Sequence, residues 1–449
     1  MSENILEEQL EEIYDDKDMP KHIKEAKLDM LVRLGVDVNI EVGFTPFLIK
    51  AIEDGYTDLA CLLLDNGADP NVSYRYHNPL SYAAFYKNEK VVKKIIEKGV
   101  DINYSDYKME PVLSSIAQEG DAESLKILID NGADVNILDD GWSPLGRAIN
   151  AGNIENVRYL LEQGGDVNAK GYNENNLLYK AVDKWHDIEI IEMLIDYGAD
   201  LEAKGASSNT ALMLASDKGR KDIVELLIKK GADVNCANAL GESALMSAMK
   251  AAIVTDCIEI VELLTSNGAD VNKKNIQGYT PLMEASHYGI SEIVELLIKK
   301  GANVNDQSNI GFTALMGATD EGSESIVELL IQNGADVNMQ DKEGETALMI
   351  AARKDYINVV KVLVKNGANL DLQDSDGKTA LMKAVQSYSK DNIEALIDLF
   401  IENGANLDLK DKNGKTALDY ADKRIKSAIN WSLNKKKWKN LKRGLGLGD

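Results

Sequence analysis

The chain has 449 residues, 44% apolar and 28% charged, with a formal net charge of −24. No run approaches the roughly 18 apolar residues of a membrane-spanning helix, and three cysteines are too few for a disulfide framework. The acidic start, with Glu3, Glu7, Glu8, Glu11, Glu12, Asp15 and Asp16, is the reverse of a secretory signal, so a cytoplasmic protein is expected.

Residues 1–34 read as an N-terminal capping helical pair. Ile5, Leu6, Leu10 and Ile13 form one apolar stripe, Asp18 to Pro20 interrupt it, and Ile23 to Leu34 form a second helix. From residue 35 to residue 421 a single pattern repeats. The hexapeptide Asn-Gly-Ala-Asp-Val-Asn, or a close variant, occurs twelve times, its Gly at 35, 67, 99, 132, 164, 198, 231, 268, 301, 334, 367 and 404. A fixed period of this size marks a solenoid of stacked units, and it overrides any domain count made from length.

The clearest unit runs from Asp341 to Asn369. Asp341-Lys-Glu-Gly344 is turn chemistry, with a Gly able to take φ > 0. Thr346 stands where a helix N-cap belongs. Ala347, Leu348, Ala351 and Ala352 follow at helical spacing, and Asp355-Tyr356 breaks that helix. Val359, Val360, Leu363 and Val364 stripe a second helix, which ends at Asn366-Gly367 with Gly as the left-handed residue. Neither helix is long enough to stand alone, so each must bury a face against the next unit. Two units carry extra residues between their helices, at Met249 to Asp256 and Gln386 to Asp391.

The same skeleton returns in Thr210-Ala-Leu-Met213, Thr280-Pro-Leu-Met283, Thr313-Ala-Leu-Met316, Thr379-Ala-Leu-Met382 and Thr416-Ala-Leu-Asp419. Here the chain resembles the ankyrin repeat family. That family's unit reads roughly Asp-x-x-Gly-x-Thr-Pro-Leu-His, then Ala-Ala, then a Leu-Leu helix closed by Gly-Ala-Asp-Val-Asn. The resemblance implies an all-α helix-turn-helix solenoid whose work is protein binding. One departure is consistent: Met takes the family's His position in six consecutive units, from Met213 through Met382, and reads as core packing.

Catalytic motifs are poor. The histidines His22, His77, His186 and His287 form no metal-spaced pair. Gly377-Lys378-Thr379 and Gly414-Lys415-Thr416 echo the end of a P-loop, but Leu372 and Leu409 stand where its first Gly is required. Asp374-Ser-Asp376-Gly377 mimics part of a calcium loop, but Leu372 and Lys383 occupy its first and twelfth positions. The expectation is a non-enzyme with no cofactor and no metal.

Aromatics point to a surface instead. Thirteen of the chain's 26 lie between Tyr74 and Tyr197, and none lies from Gly198 to Gly278. In ankyrin-like proteins the turn before each helix pair projects as a finger, and the residues after the His position and after Ala-Ala face a concave groove. Carried onto Asn78-Pro-Leu-Ser81, the resemblance puts Tyr82, Phe85 and Tyr86 on the groove wall. Tyr74, Arg75 and Tyr76 fall on the adjoining finger, Tyr104 and Tyr107 on the next, and Trp142 on the one after, with Arg147 on the wall. Tyr, Trp and Arg dominate interface hot spots.

Residues 422–449 form a basic C-terminal helix and tail. Residues 423–449 hold nine Lys or Arg and one Asp, a net of +8, which leaves −32 on the rest. Ile425, Ile429 and Leu433 share one side of this stretch, and Trp438 and Leu441 continue the apolar set. It reads three ways: a cap on the last unit, a contact for anionic membrane or nucleic acid, or a segment folded against the acidic body of its own or another chain. The acidic body repels polyanions and attracts a basic protein partner. Any membrane contact falls to the tail, and the unbound chain is expected to be a monomer. The function expected is a protein–protein interaction module, of inhibitor or immunity type. The alternative is a scaffold or adaptor targeted by its tail.

Overall fold

The structure is a computed structural model, and it describes residues 3–75, 77–103, 110–171, 175–184, 187–250, 257–387 and 392–444. The chain forms two compact units, Met1–Ala206 and Ser207–Asp449. The described residues of the first hold twelve α-helices, from Glu3–Asp15 to Ile188–Asp196. They also hold one pair of two-residue antiparallel strands, Glu41–Val42 and Thr45–Pro46, with Glu41 opposite Pro46. The described residues of the second unit hold fourteen α-helices, from Ala211–Asp217 to Lys423–Gly444. Each unit is a run of antiparallel helix pairs in which neighbouring first helices pack on one another.

The repeat at Asp341 shows why the local sequence folds this way. The Met349 N–H donates to the Thr346 hydroxyl at 3.2 Å, which caps the helix Ala347–Arg353. The same bond recurs from Met283 to Thr280 at 3.3 Å and from Met316 to Thr313 at 3.2 Å. Such a cap contributes about 1 kcal/mol. Asp355 takes φ 61° and breaks the helix, and Ile357–Lys365 follows antiparallel. Gly367, at φ 86°, closes it with its N–H on the Val364 carbonyl at 3.1 Å. Ala351, Ala352, Val360 and Leu363 are fully buried, so the small first-helix alanines admit the second helix. Met213, Met246, Met283, Met316, Met349 and Met382 are all at most 2% exposed, which makes the methionine series core.

The last Asn of the hexapeptide joins one repeat to the next. Asn305 donates its amide to the Gly334 carbonyl at 2.8 Å and accepts the Asp336 N–H at 2.8 Å. Asn235 does the same with Gly268 at 2.9 Å and Asp270 at 2.8 Å. Asn168 joins Gly198 and Asp200 likewise, at 3.1 and 2.9 Å. Asp371 occupies this place in a later repeat and accepts the Asn406 N–H at 2.8 Å, but a carboxylate has no N–H for the Gly404 carbonyl. Asp371→Asn supplies that donor and should raise stability by about 0.5–1 kcal/mol. Asn305→Asp, which removes the donor, should lower it by a similar amount. Urea unfolding midpoints of the two variants must move in opposite directions, and a shared direction refutes the assignment.

The loop echoes are ordinary repeat turns. The Lys383 ammonium sits 2.6 Å from the buried Asp374 carboxylate and 3.4 Å from Glu345, so a lysine holds the place where the calcium pattern would need an acid. The hydrogen bond to Lys383 keeps the Asp374 carboxyl below the usual range against the opposing effect of burial.

Candidate partner-binding surface

The aromatic set lies in the first unit. Pro79–Phe85 is a short helix with Pro at its first turn, where a missing N–H costs nothing. Asn78 caps it by accepting the Ser81 N–H at 2.9 Å. Leu80, Ala83 and Ala84 are fully buried. Helical periodicity then sends Tyr82 and Phe85 to the opposite side, followed by Tyr86. Phe85 is 51% exposed and Tyr86 47%, while Tyr82 is half-buried. Phe85 and Tyr86 meet edge to face, with centroids 5.5 Å apart.

The turn before this helix brings further rings. Tyr74 and His77 exchange backbone hydrogen bonds of 2.9 and 3.0 Å, which folds the segment back on itself. Tyr74 then lies 6.4 Å from Tyr82, and the His77 ring stands perpendicular to Tyr82 at 6.0 Å. The exposed Arg75 lies over the Tyr74 ring at 5.0 Å. Burial pushes the Tyr82 phenol up, and the Glu53 carboxylate pushes it the same way against the opposing effect of Arg75. His77, Tyr82, Phe85, Tyr86, Ile116 and Glu119 surround a pocket of about 190 Å³.

Trp142 and Arg147 are placed differently. Asp139 and Trp142 close a second turn of the same kind, with hydrogen bonds of 2.9 and 2.7 Å. Arg147 reaches Asp139 at 3.0 Å and Glu110 at 3.2 Å, and its guanidinium lies 5.8 Å from the Trp142 ring centre. Lys180 approaches the same ring at 5.6 Å. Both residues are therefore half-buried in contacts within their own unit, unlike the open faces of Phe85 and Tyr86. Tyr76, Tyr104 and Tyr107 lie outside the described residues.

One cluster escaped sequence reasoning. His287 comes together with Asp320 and Glu321, with ligand-type atoms within 4.8 Å of one another. The pattern is invisible along the chain because it joins equivalent ends of successive first helices. Lys354 binds Asp320 at 2.7 Å, so an ammonium already shares that carboxylate. At the end of the second unit, Ile425 and Ile429 of the helix Lys423–Gly444 are buried and Leu433 is half-buried. Trp438 and Leu441 are not: they are 60% and 55% exposed, because helical rotation carries them away from that side. Among the described residues, no helix is long and apolar enough to cross a membrane.

Helix pairs repeated along each unit, with neighbouring first helices packed together, define a helical repeat protein. The chain belongs to the ankyrin repeat family: a model of ankyrin repeats in three copies matches residues 22–106, 113–205, 201–275, 248–341, 315–411 and 348–431. The fold is therefore in general a non-catalytic protein–protein interaction module. The chain is 33% identical over 130 residues to an ankyrin repeat domain-containing protein of Stachybotrys chartarum, covering 29% of this chain and 7% of that one. It is 28% identical over 185 residues to the B-cell lymphoma 3 protein homolog of Mus musculus, covering 37% and 41%. With ankyrin repeat and SOCS box protein 6 of Homo sapiens it shares 33% over 138 residues, covering 28% and 33%. The match thus spans less than half the length of each of these relatives.

Proposed function

We propose that this chain binds a basic protein partner through the aromatic surface of its first unit and blocks a surface of that partner, as an inhibitor or immunity-type protein does. One observation carries the reading: Phe85 and Tyr86 leave about half of their surface in solvent beside Tyr82, on a body with a net charge of −32 before the basic tail. Large exposed rings are costly to leave in water and rewarding to cover. The long-range field of the body would speed the approach of a cationic partner and would weaken with salt. We include Tyr74, Arg75, Trp142 and Arg147 in this proposed surface, and Tyr76, Tyr104 and Tyr107 are assigned to it from the sequence alone.

Replacing Tyr82, Phe85 and Tyr86 together by Ala should weaken partner binding by at least about 2 kcal/mol. Far-ultraviolet circular dichroism should stay close to wild type, since the two most exposed rings are not core. The measurement is titration calorimetry with the protein captured from native cytoplasm. A triple variant that unfolds shows the rings to be packing, and one that binds undiminished removes them from the interface.

A further inference from the structure

The pocket on the helix Pro79–Phe85 has a size, a wall and a charge that together select a ligand. Its volume of about 190 Å³ equals roughly six waters at ~30 Å³ each. That is below the ~300–1,000 Å³ of drug-sized ligand sites, so it suits one side chain of a partner. Its wall presents the rings of Tyr82, Phe85 and Tyr86, and its rim carries the exposed carboxylate of Glu119. Aromatic faces are negative, and an adjacent carboxylate adds to that potential. The Glu53 carboxylate also acts on Tyr82. Of the chain's own cations, Arg75 lies over the Tyr74 ring and acts on Tyr82 against Glu53, while two lysines hold acids. Lys50 holds Asp54 at 3.0 Å, and Lys87 holds Asp121 and Glu123, each at 2.8 Å.

We propose that this pocket seats the guanidinium of an arginine side chain from the partner, a reading that rests on the basic-partner function proposed above. Guanidinium is planar, stacks on rings and is weakly hydrated, so it loses less than an ammonium on entering a ring-lined site. The chain already makes such a contact with itself, since Arg75 lies over Tyr74 at 5.0 Å on the neighbouring turn. The carboxylate of Glu119 then meets guanidinium N–H groups at the mouth, and the methylene stem covers Ile116.

Fluorescence anisotropy of labelled hexa-arginine and hexa-lysine with the full chain, at physiological salt, tests this. Hexa-arginine should bind several-fold more tightly than hexa-lysine. Phe85→Leu with Tyr86→Leu keeps apolar bulk and removes the π faces, and should weaken hexa-arginine about tenfold or more. Glu119→Gln should weaken it about threefold. Glu295→Gln, an exposed acid in the second unit, should change it by less than about twofold. Unfolding midpoints of all variants keep loss of fold apart from loss of binding. If wild-type chain binds neither peptide, the basic-partner reading falls and the pocket with it. If both peptides bind but the pocket variants behave like Glu295→Gln, only the pocket assignment falls. Equal affinity for hexa-lysine overturns the choice of arginine.

Discussion

Gly311→Val is expected to destabilise the second unit by about 2–5 kcal/mol. Gly311 sits at φ +83°, where a β-branched residue is strained by roughly 1–2 kcal/mol. It also touches the next turn backbone to backbone. A Cβ there would lie 2.7 Å from the Asp341 Cα and 2.9 Å from the Lys342 nitrogen. Neither can swing aside as a side-chain tip can, so overpacking adds about 1–3 kcal/mol. The contact is held by the Lys342 N–H on the Ile310 carbonyl at 2.9 Å. The Gln307 amide adds bonds to the Gly311 and Gln340 carbonyls, each at 3.0 Å. Gly334→Val is the matched control. Gly334 has φ +90° but nothing within 4 Å of its would-be Cβ, so it should cost only the strain of about 1–2 kcal/mol. Urea unfolding followed by circular dichroism compares the two. Equal losses would show that the turns do not brace one another, contrary to the nearest-neighbour stability of a repeat array.

That contrast also shows which parts of the molecule the sequence exposes. Thr346 as N-cap, Gly367 as the left-handed helix end and Met349 as core are local matters, settled within one helix turn, and all three are legible from spacing. The tight glycines are not. Gly311 and Gly334 look alike in the chain, and only the stacking of one turn on the next separates them. The candidate surface divides the same way. The outward side of Tyr82 and Phe85 follows from the period of their helix, but the engagement of Trp142 by Arg147 and Lys180 depends on where neighbouring repeats place their cations. The meeting of His287 with Asp320 and Glu321 likewise needs the register between first helices.

Ile429→Ala is expected to cost about 2–5 kcal/mol, more than deleting residues 435–449 with most of the tail's positive charge. We propose that the helix Lys423–Gly444 is the C-terminal cap of the array, and burial is what supports this. Ile425 is 1% exposed and Ile429 fully buried, and their helix packs on Ile393–Glu402, where Ile397 and Phe400 are fully buried too. The basic residues beyond them make exposed or half-exposed bonds: Lys439 to Glu402 at 2.6 Å, Lys435 to Glu402 at 3.1 Å and to Asp398, and Lys436 to the Ile401 carbonyl at 2.6 Å. Exposed pairs of this kind contribute about 1 kcal/mol or less each. Lys439 first, then Lys435, holds the Glu402 carboxyl below its usual range. Its share of stability is therefore present above the ordinary carboxylate pKa and lost as pH falls through the lowered one. These contacts turn tail cations toward the chain's own acids, which leaves fewer for an outside polyanion. Trp431 and Trp438 stay about 60% exposed, and they are what a membrane would meet. Thermal unfolding of Ile429→Ala and of the truncation decides between the two roles, together with vesicle co-sedimentation of the full chain. Sub-micromolar binding to phosphatidylserine-rich vesicles at physiological salt, lost on truncation, with Ile429→Ala nearly neutral, would make the helix an anchor rather than a cap.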